Sequence, residues 1–145
     1  MRLLVVKFSG LRGALAATAG LRSVRERHPS AHVTFVTLPG SEPALEGCPA
    51  IVDVVGADPQ AGTFSLLAHL RRQSFDAAIA LGSHPAAVRL VALSGARLRV
   101  GAVRPACWLR PFLHRQIVGS IVDPHEVVRD HEVLARSKSK RYRVL

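Results

Sequence analysis

The chain is 145 residues long, is apolar at 48% of its positions, and carries a formal net charge of +10 from 20 Lys and Arg against 10 Asp and Glu. That length suits a single domain with a core of its own, and that apolar fraction excludes intrinsic disorder. No apolar run approaches the roughly 18 to 20 residues that cross a bilayer. The opening "MRLLVVKF" runs into "SGLRG" where a signal peptide needs a longer apolar stretch and a small-residue cleavage site, so a soluble, cytoplasmic protein is expected.

The charge favours anionic partners without naming one. Half of it lies in the tail "RSKSKRYRVL", residues 136–145, where Arg136, Lys138, Lys140, Arg141 and Arg143 stand without an acid. Residues 1–135 are therefore only moderately basic, and the tail, which lacks apolar periodicity, is expected to be flexible. Cys48 and Cys107 are far apart and neither belongs to a CxxC pair, so reduced thiols are expected rather than a zinc site or a disulfide framework.

In chain order, the first β-rich run is "LLVV" (3–6). A helical pattern follows, with Leu11, Ala14, Leu15, Thr18, Leu21 and Val24 at three- and four-residue steps as its inward face, ended by His28-Pro29. Strand runs "HVTFVT" (32–37) and "IVDVV" (51–55) come next. Thr63 then reads as the N-cap of a helix that turns Leu66, Leu67 and Leu70 inward and places Arg71 and Arg72 in its last turn. After "DAAIAL" (76–81), a further helix opens at Ser83, takes Pro85 into its first turn, carries Ala87, Val88, Val91 and Ala92, and stops at Gly95. The last clear strand is "LRVGA" (98–102). Beyond it the pattern loosens until "PHEVVRDHEVLARS" reads as a helix. Near-continuous apolar strands joined by helical crossovers predict an α/β, Rossmann-like parallel sheet with helices on both faces.

Ligands of such sheets bind beyond the carboxyl ends of the strands, so the loops after Lys7, Thr37, Val55 and Leu81 should form one rim. Ser9-Gly10-Leu11-Arg12-Gly13 could offer backbone amides to an anion, with Arg12 adding charge, but matches neither GxGxxG nor GxxxxGKS/T. His84 stands on the same rim, either as a ligand contact or as a first-turn surface histidine. His125 and His131, six apart, fall about 120° apart around a helix and so do not make a metal pair. No nucleophile and base pair stands out. Arg104, Trp108, Arg110, Phe112 and Arg115 mix large apolar groups with cations, which suits either a membrane surface or a loop packed on the sheet or on a second domain.

On these residues the chain resembles glycosyltransferase family 9, the heptosyltransferases of lipopolysaccharide core synthesis. "MRLLVVKFSGLRGALAATAGLRSVRERHPSAHVTFVT" is similar to that family's opening strand, S-x-L-G-D loop, helix and P-x-A-x-x-T strand. "PALEGCPAIVDVV", "SFDAAIAL" and "LSGARLRVGA" follow in the family's order, so that residues 1–102 are covered well and 103–135 loosely. The resemblance implies the N-terminal half of a GT-B fold: a domain over residues 1–135 that binds a phosphorylated glycolipid or saccharide acceptor, with Ser9, Gly10, Leu11, Arg12, Gly13 and His84 as candidate contacts. The nucleotide-sugar donor, such as ADP-heptose, would bind a second domain that this chain lacks. Where the family carries its catalytic aspartate this chain has Gly13, after Arg12, and neither can accept a proton from an acceptor hydroxyl. The resemblance thus implies a transferase domain that is incomplete or inactive alone, with no catalytic residue, metal or cofactor of its own. The alternative is a non-enzymatic basic module on an anionic membrane or nucleic acid, although no helix-turn-helix, RNP or zinc signature supports specific nucleic-acid binding.

Overall fold

A computed structural model describes residues 1–82, 84–101, 109–113 and 115–116. Arg104, Trp108, the expected helix over 124–137 and the basic tail lie outside the described residues, as does Ser83. The elements are β1 (Arg2–Val6), α1 (Leu11–Arg27), β2 (His32–Thr37), β3 (Asp53–Gly56), α2 (Phe64–Arg72), β4 (Ala77–Ala80), α3 (Pro85–Leu93), β5 (Leu98–Gly101) and β6 (Arg115–Gln116). Short 3₁₀ turns fall at Glu42–Ala44 and Arg110–Phe112.

The strands form one six-stranded sheet in the order β3-β2-β1-β4-β5-β6. Every neighbouring pair is parallel. Pleating sends alternate side chains to opposite faces. Leu3 and Val5 of β1, with Val33 and Phe35 of β2, pack in one cluster with Ala14, Ala17, Leu21 and Val24 of α1. Leu4 and Val6, with Val36, pack in the other with Leu70 of α2 and with Ala87, Val88 and Val91 of α3. Helices therefore cover both faces, and each fully buried valine or leucine of the central strands contributes about 1.5–3 kcal/mol of transfer free energy.

Two expectations need correction. The inward face of α1 is Gly13, Ala14, Ala17, Gly20, Leu21 and Val24, whereas Leu11 and Leu15 are 52% and 47% exposed. Small side chains let this helix lie close on the sheet. At about 100° per residue, Leu15 falls about 160° from Ala17, on the opposite side of the helix. The α3 cap is His84, whose Nδ1 accepts from the Ala86 amide at 3.2 Å, rather than a serine. Thr63 is the N-cap of α2 as expected, but caps through its backbone: its carbonyl oxygen accepts from Leu67 N and its side chain makes no cap bond. A sixth strand, two residues long, follows the five expected ones.

Arginines hold the amino-end edge together. Arg71 Nε donates to Leu93 O at 2.7 Å and Arg99 Nη1 to Ala92 O at 3.2 Å, so carbonyls left open at the end of α3 gain charged donors from other elements. The α3 end is completed by Ser94, whose Oγ donates to Val91 O at 2.8 Å, and by Gly95 at φ +77°. Arg71, read from the sequence as a complement to its own helix dipole, thus serves α3.

Candidate functional site

From β1 the chain runs outward one way through β2 and β3, and from β4 it runs the other way through β5 and β6. The order reverses between β1 and β4, which in an open parallel sheet leaves a crevice at the carboxyl ends of those two strands. Leu81 N donates to Val6 O and Lys7 N to Val36 O, both at 2.9 Å, so the strand pairing extends one residue past β1 and β4 before the loops depart. One loop leads into α1 and the other into α3, and these helices lie on opposite faces.

Phe8 and His84 join the two loops. Their rings meet edge to face, with centroids 5.4 Å apart and planes at 68°. Because Nδ1 of His84 accepts the Ala86 amide, the proton of the neutral ring sits on Nε2. The imidazole is half-buried and fixed at both its edge and its cap bond.

The expected loop residues divide by burial. Gly10 is the N-cap of α1, in extended conformation at φ −63° and ψ −179°, and gives no side-chain cap; the first turn contains no acid. Leu11 and Arg12 are exposed, while Gly13 is buried on the sheet side of α1. Ser9 is half-buried, and its Oγ is buried with no hydrogen-bond partner. Ser9, Gly10, Leu11, Arg12 and Gly13 thus lie on the β1–α1 loop and the first turn of α1, and His84 at the start of α3, all beyond the carboxyl ends of β1 and β4. Of the second group, Phe112 is 42% exposed, and Arg110 and Arg115 belong by their backbone to the 3₁₀ turn and to β6.

Two residues that sequence reasoning used only to mark strand ends are buried at the same end of the sheet. Lys7 is 1% exposed and Thr37 0% exposed. Lys7 continues the alternation of Leu3 and Val5, and Thr37 that of Val33 and Phe35, so both side chains stand on the α1 side of the sheet on adjacent strands. Thr37 Oγ1 has no hydrogen-bond partner. A lysine in phase with the buried face of a strand was the available signal. Two carboxylates, Glu42 and Asp58, follow β2 and β3 on the same end of the sheet, and the Glu42 side chain occupies the space that a Cβ on Gly56 would need. Among the described residues, no group of three His, Cys, Asp or Glu could hold a metal ion. No described helix is long and apolar enough to cross a membrane.

This fold recurs in solved structures. The crystal structure of a glycosyl transferase family 9 protein from Veillonella parvula superposes with a TM-score of 0.79 over 94% of this chain, at 19% identity. E. coli heptosyltransferase WaaC with ADP gives 0.76 over 95% at 20% identity, and E. coli ADP-heptose lipopolysaccharide heptosyltransferase II gives 0.76 over 92% at 18%. The chain has the fold of glycosyltransferase family 9. It spans less than half of those proteins, 41%, 47% and 40% of their lengths respectively. No protein-family model and no curated protein sequence matches it. The resemblance read from the motifs is thus met at the level of the fold, as one Rossmann-like part of a GT-B architecture.

Proposed function

We propose that this chain is the acceptor-binding domain of a heptosyltransferase-like glycosyltransferase of family 9, related to transfer of heptose from ADP-heptose to the lipopolysaccharide core. The observation that carries the reading is the superposition of more than nine-tenths of the chain on several such enzymes, with the crevice at the β1/β4 switch point. The acceptor is a phosphorylated glycolipid or saccharide, met by Ser9, Gly10, Leu11, Arg12 and His84 on the rim of a domain over residues 1–135. Arg104, Trp108, Arg110, Phe112 and Arg115 make a peripheral contact with the cytoplasmic face of the inner membrane. The nucleotide sugar is held by a donor domain outside residues 1–145; one of the similar structures carries ADP and another ADP-2-deoxy-2-fluoro heptose, and these residues span less than half of each.

Transfer needs a base for the acceptor hydroxyl while the anomeric carbon loses its nucleotide. Gly13 offers none, so the isolated chain binds acceptor without turning it over. The test is calorimetry with a deacylated, phosphorylated core oligosaccharide and separately with ADP-heptose, followed by a transfer assay with both. Saturable binding of the oligosaccharide, none of ADP-heptose and no product is the expected pattern. Tight ADP-heptose binding without oligosaccharide binding would overturn it.

A further inference from the structure

The positive charge of the described residues is gathered at the end of the sheet opposite the crevice. At the amino ends of the strands, where α1, α2 and α3 finish, stand exposed Arg2, Arg27, Arg71, Arg72 and Arg97, with Arg25 and Arg99 half-buried beside them. The carboxylates at that end are Glu26, Asp53 and Asp76, and Asp76 already accepts from the Arg2 amide at 2.8 Å. At the crevice end, exposed Arg12 is set against Glu42 and Asp58. Hydrogen bonds join the arginine-bearing ends into one surface: His32 N donates to Met1 O, Arg2 Nη1 to Gln73 O at 2.6 Å, and Arg97 N to Phe75 O. Part of the charge serves the fold, since Arg2, Arg25, Arg71 and Arg99 donate to the carbonyls of Gln73, Ala31, Leu93 and Ala92 and offset the negative ends of α2 and α3. Among the described residues, Arg27, Arg72 and Arg97 make no side-chain hydrogen bond, so their guanidinium forks are available to a partner.

We propose that this amino-end face binds the phosphate backbone of a nucleic acid, as a second interaction surface opposite the crevice. Arginine forks match pairs of phosphate oxygens, and the one described lysine, Lys7, is buried, so the exposed cations of this face are arginines. A membrane needs apolar anchors beside its cations. The two most exposed large apolar side chains, Phe64 at 86% and Leu11 at 52%, open α2 and α1 at the other end. A nucleic-acid backbone needs no such anchors and presents one charge per about 1.7 Å of duplex axis. Strands β2 to β5 of this face, neighbours about 4.8 Å apart, span about 14 Å, the length of duplex that carries about eight phosphates. Helix ends and strand starts offer no helix or ribbon to enter a groove, so the contact is with phosphates and not with bases. The proposal is independent of the acceptor reading, because the two surfaces lie at opposite ends of the sheet.

The test is fluorescence anisotropy of the full chain with a labelled DNA duplex of about 20 base pairs, from about 50 to about 200 mM salt. Contacts from the five exposed arginines predict a slope of log K against log salt of about −4.5, and a loss of roughly a few hundredfold over that range. Changing Arg27→Ala, Arg72→Ala and Arg97→Ala together should weaken binding about tenfold or more and bring the slope to about −2. The same three positions changed to lysine keep the charge and should hold affinity within about threefold of the parent. Because the tail is also basic, a variant with Lys138, Lys140, Arg141 and Arg143 all changed to alanine is the comparison, and it should weaken binding less than the triple alanine variant. No duplex binding at the lower salt, a triple alanine variant that binds like the parent, a lysine variant as weak as the alanine one, or loss confined to the tail variant would overturn the proposal. Sedimentation with phosphatidylglycerol vesicles separates the remaining case. Vesicle binding lost in the triple alanine variant, with duplex binding kept, makes the face a membrane surface and overturns the nucleic-acid assignment.

Discussion

The imidazole of His84 stands edge to face on Phe8, 5.4 Å between ring centroids, and its Nδ1 also caps α3 through the Ala86 amide. One side chain thereby ties the β1 loop to the helix that follows β4, across the point where the sheet order reverses. His84→Ala removes both interactions. A lost cap costs about 0.5–2 kcal/mol and an aromatic pair about 0.5–1.5 kcal/mol, so chemical denaturation should report a loss of about 1–3 kcal/mol. His84→Asn restores an acceptor at the cap but no ring, and should recover roughly the cap share. Equal losses in the two variants would show that the cap contributes nothing.

Arg71 reaches from α2 to the last carbonyl of α3, Nε to Leu93 O at 2.7 Å. The residue is exposed, which screens the interaction and keeps its contribution small. Arg71→Ala should lower stability by about 0.5–1 kcal/mol. In hydrogen exchange, the amides in the last turn of α3 should lose protection before those of its first turn. Uniform loss across α3 would contradict a local role.

Between α2 and β4 the chain turns through Ser74 at φ +51°, the one described non-glycine residue with positive φ. A side chain in the left-handed region costs on the order of 1 kcal/mol. Ser74→Gly should therefore stabilise the fold by about 0.5 kcal/mol once the greater freedom of glycine in the unfolded chain is set against the relieved strain. A thermal midpoint below that of the parent chain would refute this.

How much of this could be read beforehand depends on which signals a sequence carries. The longer strands announce themselves as runs rich in Val, Ile, Leu and Ala, as in "LLVV" and "DAAIAL", because the central ones are buried on both faces. The face of α1 misleads because Leu11 and Leu15 weigh more in any periodicity than Gly13, Ala17 and Gly20, although the small residues are what a helix needs to lie close on a sheet. A two-residue β6 is shorter than any pattern can register. The hydroxyl of Thr37 is equally invisible, because whether a strand-end threonine is partnered depends on α1 and on the loop from β1. His84 was legible as a rim residue from its position after "DAAIAL", but not as a cap. Its bond to Ala86 requires the ring to turn back over Pro85.

The last prediction concerns Gly56 and Glu42. A Cβ built on Gly56 would overlap the Glu42 carboxylate, so an alanine there forces that side chain to move. The obstruction is the far end of a flexible side chain, and Gly56 lies on the exposed edge strand β3, so Glu42 can swing into solvent at modest cost. Gly56→Ala alone should therefore destabilise by no more than about 1 kcal/mol. In a Glu42→Ala background the overlap is gone, and the same substitution should become neutral or stabilising, since alanine loses less backbone freedom on folding than glycine. The double-mutant cycle then yields a coupling energy of about 0.5–1 kcal/mol with the sign of relieved repulsion. Strict additivity would mean that Glu42 does not rest against Gly56 in solution, and that the carboxylate nearest the end of β3 is free to face the crevice.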